Sequence, residues 1–146
     1  GGRYPAGGWE YNLNTDLAAA RAVIERSAIP LWQIPQHAYR LMQFSNAEMR
    51  VRLRDISPFG RWLYESFTHP PAFIDVGGSW PLGDSPLVLL TALSQESSLS
   101  VERLARRINP DGSYGEEIAG RMLRVFDTLD ARLTFEDFLA LMALHR

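Results

Sequence analysis

One segment limits the folds open to this chain more than any other. Ser85 to Leu93, "SPLVLLTAL", is apolar at nearly every position after a Ser-Pro start. A helix that is hydrophobic all round belongs in an interior. The segment therefore predicts a buried helix and a core to hold it. The chain has material for one: 146 residues suit a single domain, and 46% of them are apolar.

Other segments read as follows. "GGRYPAGGW", residues 1–9, is loop. "NTDLAAARAVIERS" predicts a helix over about 16–27, capped by Asn14, Thr15 or Asp16, with Leu17, Ala20, Val23, Ile24 and Ser27 on one face. Leu31 to Ile34, between prolines, predicts a short strand. "SNAE" has capping-box spacing and starts a helix from Ser45 to about Arg54. Ser57 and Pro58 start another, in which Phe59, Trp62, Leu63 and Phe67 share a face. "LSVERLARRINPDGSY" ends in a turn at Pro110–Gly112, and with "RMLRVFDTL" it predicts a pair of strands. "TFEDFLALMALHR" predicts a last helix capped by Thr134. Helices alternating with a few short strands give an α/β class, helix-rich in this segment.

The formal charge of −2 gives no basic stripe for nucleic acid. No apolar run is long enough to cross a bilayer. The absence of cysteine removes disulfides and thiolate metal sites and fits a reducing, cytoplasmic setting. Four glycines in the first eight residues and the lack of an initial Met read as a piece of a longer protein.

Two stretches invite chemistry. In "WEYNLNTD", Glu10, Asn12, Asn14 and Asp16 alternate. If extended, all four point to one side and make an edge for sugar hydroxyls. The plainer reading is a polar loop capping the next helix. In "GDSP", Asp84 precedes a Ser85 cap. It is either an acid that favours the helix end by about 0.5 kcal/mol or one ligand of a hard cation that needs further acids. "DTLDARLTFEDF" is not an EF-hand loop. Counting back from Glu136 puts Val125 at the first ligand position, and the loop glycine is missing. His37, His69 and His145 have no metal-ligand spacing. His69 is a loop histidine between helical stretches. Trp32, Trp62 and Trp80 read as core or core-edge, and Trp80, on a Gly-rich loop, is also placed to stack on a ligand base.

Taken in order, four segments resemble the C-terminal portion of the nucleoside hydrolase family, the inosine–uridine-preferring N-ribohydrolases. "EYNLNTDLAAARAVIERSAIPLWQIP" resembles the family's E-F/Y-N-x-x-x-D-P-x-A-A segment and the Pro-led strand after its helix. "PLGDSPLVLLTAL" resembles its H-D-P-type motif opening a buried helix. "INPDGSY" and "GRMLRVFDTLDARLTFEDFLALM" resemble closing strands and helix. The resemblance implies an open, mostly parallel-sheet fold and Ca²⁺-dependent cleavage of a nucleoside's N-glycosidic bond. It makes Glu10 and Asn12 ribose-binding residues and Asp84 a Ca²⁺ ligand.

The chain departs from the pattern in three places. The family's aspartate cluster, D-x-D-x-x-x-D-D, has no counterpart. Gly83 stands where many members carry His, and Tyr4 where an Asn is expected. His69 and Trp80 are the remaining candidates for assisting the leaving base. The expectation is a C-terminal half, inactive alone, that associates with its missing half or with its own kind. The alternative is a silent module of the same fold that binds nucleoside or ribose without hydrolysis. A third reading has Glu10 and Asp84 merely capping helices.

Overall fold

A computed structural model describes residues 4, 5, 7, 10–75, 77–92 and 98–146. The elements in chain order are α1 (Tyr11–Thr15), α2 (Leu17–Arg21), a π-turn (Ala22–Arg26), β1 (Trp32–Gln33), α3 (Gln36–Tyr39), β2 (Gln43–Ser45), α4 (Asn46–Arg52), α5 (Pro58–Thr68), β3 (Ser79–Pro81), α6 (Ser85–Ala92), β4 (Ser98–Ile108), β5 (Tyr114–Leu129) and α7 (Ala131–Leu144). The protein mixes helix and strand, as an α/β class requires. It divides into two compact units, Gly1–Tyr39 with Leu93–Leu129, and Arg40–Ala92 with Asp130–Arg146. Most of the residues 1–9 loop expectation lies outside the described residues.

The first unit is built on β5. Its sheet runs β1-β5-β4, with β1 parallel and β4 antiparallel to β5. The expected mostly parallel sheet is represented here by one short parallel pairing beside a long antiparallel hairpin. β5 is also longer than the 121–129 strand read from sequence. "YGEEIAG" carries two glycines and two glutamates and looks like a break. In the ladder it holds a bulge. The partners Leu104↔Met122 and Arg106↔Glu117 set two residue steps on β4 against five on β5. Gly120 takes a φ of 75° inside that bulge, where a side chain would strain the backbone. Tyr4, Ala105, Leu123 and Val125 form the core, with Ile24 and Leu31 packed against it. Burying each Leu or Val fully contributes about 1.5–3 kcal/mol.

The turn joining β4 to β5 is closed by local chemistry. Asn109 N donates to the Ser113 carbonyl at 2.8 Å, and Asp111 Oδ1 accepts from the Ser113 N–H and hydroxyl at 2.9 and 2.6 Å. Those two bonds from Ser113 hold the Asp111 carboxyl below the usual carboxylate range. Gly112 has φ 79°, and a Cβ there would meet the Asn14 amide at 2.5 Å. The turn therefore sits directly against α1.

The second unit holds α4, α5, α6 and α7 with the antiparallel pair β2–β3, and α4, α5 and α7 share its core. The core is Phe44, Met49, Leu53 and Leu139, with Leu63, Phe67, Trp80 and Phe135 against it. The caps follow the sequence. Ser45 Oγ accepts from Glu48 N at 3.0 Å, and Ser57 Oγ accepts from Gly60 N at 3.0 Å, with Pro58 opening the helix. Three expectations fail. The last helix begins a turn early, capped by Asp130, whose Oδ1 accepts from Leu133 N at 2.8 Å. Thr134 is instead buried, its hydroxyl donating to the Asp130 carbonyl. Phe59 and Trp62 do not turn inward with Leu63 and Phe67. They stack on each other at 5.7 Å and stay exposed. Finally, α6 is not enclosed: Pro86 is its one buried residue, and Val88 is 72% exposed. Its composition is that of an interior helix, but the unit covers it on one side alone.

Candidate functional site

The two stretches that invite chemistry fall in different units. Glu10 has extended backbone, and its Oε2 accepts from Leu13 N at 2.8 Å, so it caps α1. The four alternating residues therefore do not lie along an extended edge. From Tyr11 to Thr15 the chain is helical, which turns Asn12 and Asn14 about 200° apart around the axis. Asn12 is exposed, while Asn14 Nδ2 donates to the Glu10 carbonyl at 2.8 Å. Asp16 caps α2, its Oδ1 accepting from Ala19 N at 2.9 Å. The capping function read as the plainer alternative is what these side chains perform. A short, polar, donor-rich start of a helix satisfies its free N–H groups that way.

Beside α1 lies a cleft of about 160 Å³, lined among others by Tyr4, Leu13, Gln33, Arg106 and Tyr114. Tyr4 is a core residue. It is 4% exposed, its hydroxyl donates to the Leu104 carbonyl at 3.1 Å, and its ring meets Tyr114 edge-on at 5.2 Å. Gln33 Nε2 donates to Tyr114 Oη at 3.2 Å. Burial pushes the Tyr114 phenol above its ordinary range, and the nearby Glu10 carboxylate adds to the effect. Arg106 bonds the Gly115 carbonyl and Glu117 through its terminal nitrogens. Its buried Nε has no partner among the described residues. This cleft is not legible in the sequence, because Arg106, Tyr114 and Gln33 meet only through strand pairing.

In the second unit Asp84 is exposed. Its carbonyl accepts from Leu87 N at 3.3 Å, and α6 starts at Ser85, so Asp84 rather than Ser85 holds the cap position. His69 ends α5. Its Nδ1 lies 3.1 Å from the Glu65 carbonyl and 3.2 Å from Thr68 Oγ1, whose own proton goes to the Tyr64 carbonyl. Both neighbours then act as acceptors, which puts the proton on Nδ1 and makes Nε2 the acceptor nitrogen of the neutral ring. Trp80 is a core-edge residue, its ring tilted on Phe67 at 5.6 Å. Trp32 is partly exposed and packs on Phe126, with the Arg124 guanidinium 5.4 Å from its ring. His37 pairs with Asp127, Nε2 to Oδ1 3.4 Å, a carboxylate 90 positions away that no local spacing announces.

A hard divalent cation takes about six to eight oxygen ligands. Among the described residues no three His, Asp or Glu side chains gather around one point. Asp84 by itself does not fit such an ion. Among the described residues no helix is long and apolar enough to cross a membrane. No family model matches the chain, and no curated protein does.

Proposed function

We propose that this chain is the ribose-side part of a nucleoside N-glycosidase, with the open, mostly parallel fold of the nucleoside hydrolases, working with an aspartate cluster supplied outside residues 1–146. The carrying observation is an order of parts. Glu10 and Asn12 stand at the start of α1, which is followed by α2, the π-turn and then β1, a strand parallel in the sheet, and Asp84 stands exposed at the start of an apolar helix. Capping does not exhaust Glu10: Oε2 takes the Leu13 N–H, and Oε1 has no partner among the described residues. That oxygen can accept from a sugar hydroxyl, and the exposed Asn12 amide can both donate and accept. His69, exposed at the end of α5, and Trp80 are the candidates for meeting the leaving base.

The test is base release from inosine and uridine by the whole protein, with and without chelator. Chelator-sensitive release is the expected result, and no release from any nucleoside rejects the enzymatic reading. In the same protein Asp84→Ala should abolish Ca²⁺ binding; unchanged affinity rejects Asp84 as a ligand.

A second reading is favoured by Gly83, which puts no acid or imidazole beside Asp84. In it the fold binds nucleoside or ribose without cleaving it. Saturable ribose binding with no base release, abolished by Glu10→Ala, separates it from the first.

A further inference from the structure

The nucleoside reading leaves unused an open apolar groove of about 380 Å³ within the second unit. Its walls come from α5, α6 and α7 and include Phe59, Leu63, Phe67, Leu89 and Leu141. That volume falls in the range of about 300–1,000 Å³ usual for small-ligand pockets. Such pockets are mostly apolar, with a few polar groups that fix orientation. Here the charged group is Asp137, which lines the groove and is half-buried. Among the described residues no hydrogen bond or ion pair engages its carboxylate. Thr134, also in the wall, has its hydroxyl committed to the Asp130 carbonyl.

This combination selects a ligand chemistry. A neutral apolar molecule would strip water from Asp137 and give nothing back, which is costly for an ionised group. An anion would be repelled as well. A cation on an apolar body offsets both effects, since a charge-assisted bond to a carboxylate is among the stronger hydrogen bonds. We propose that this groove is a binding site for a small apolar ammonium ion, its body against the helices and its charge on Asp137. The proposal stands independently of any nucleoside chemistry in the first unit.

The test uses the 146-residue chain and three probes of one size: hexylammonium, hexan-1-ol and hexanoate. Amide chemical shifts are followed by NMR. The ammonium is expected to saturate shifts on α5, α6 and α7 and to bind at least about tenfold more tightly than the alcohol. Hexanoate should bind most weakly. Asp137→Asn should bring the ammonium to the level of the alcohol with the thermal midpoint unchanged. The proposal is overturned by an alcohol that binds as well as the ammonium, or by no saturation with the ammonium. It is also overturned if sedimentation shows a dimer whose formation protects the same amides, since the groove would then be a face between copies. The three-probe comparison on the unaltered chain decides the matter even if the variant folds poorly.

Discussion

Arg121 donates from Nη2 to the Ile29 carbonyl at 2.8 Å, tying β5 to the chain segment that leads into β1. The same guanidinium reaches the Ile24 carbonyl at 3.1 Å and the Val23 carbonyl at 3.3 Å. It thus closes the carbonyl end of the π-turn, where a cation is favoured by the helix dipole. Arg121→Ala is expected to cost about 2 kcal/mol, from bonds worth about 0.5–1.5 kcal/mol each. Arg121→Lys should recover less than half, because a single ammonium cannot hold the fork geometry. Urea denaturation of the three proteins checks both.

Gly60 is buried on α5, and a Cβ there would run into the Leu53 carbonyl oxygen. Gly60→Ala should destabilise by about 1–3 kcal/mol through overpacking. Helix propensity alone would predict a gain of about 1 kcal/mol. The sign of the shift in urea midpoint tells which term wins.

The start of α7 separates pattern from structure. Asp130→Ala should cost about 1 kcal/mol as a lost cap. If the helix began at Thr134, that change would be nearly silent. A thermal melt of Asp130→Ala decides.

Tyr114 supplies the pH dependence. Its pKa is raised by burial, so the folded state holds the phenol proton more tightly than the unfolded chain does. Its contribution is complete below the unfolded pKa, about 10, and is lost as pH rises through the higher folded value. Stability measured in urea should therefore fall at alkaline pH, and Tyr114→Phe should flatten that fall. In an ultraviolet titration the Tyr114 phenol should ionise above the ordinary tyrosine range, and Tyr114→Phe should remove that late phase.

Several features closed within a few residues are legible in the sequence, though the caps of α6 and α7 each sit earlier than their Ser and Thr suggest. Ser45 and Ser57 cap their helices because a hydroxyl three positions before an N–H is a local arrangement. The Pro110–Gly112 turn is legible for the same reason. What the sequence hides is tertiary. Apolar composition says that α6 wants cover, but not that Val88 stays outside. Helical spacing groups Phe59 and Trp62 with Leu63, yet the unit's packing faces only the latter inward. Two glycines and two glutamates conceal the first half of β5, because a bulge is a property of the pair of strands rather than of either one. The candidate sites divide the same way. Glu10 and Asp84 were visible as helix-end acids. The Asp137 groove and the Tyr114 cleft exist only where distant segments meet.

Val125 is completely buried and is paired on both flanks, with Gln33 of β1 and Val101 of β4. Such a position is released to solvent only by opening of the whole sheet, not by fraying of an edge. Its amide is therefore a clock for the first unit. In deuterated buffer, the lifetime of that one proton reports the global opening free energy, while amides near Ser98 and Gly115 are replaced far earlier.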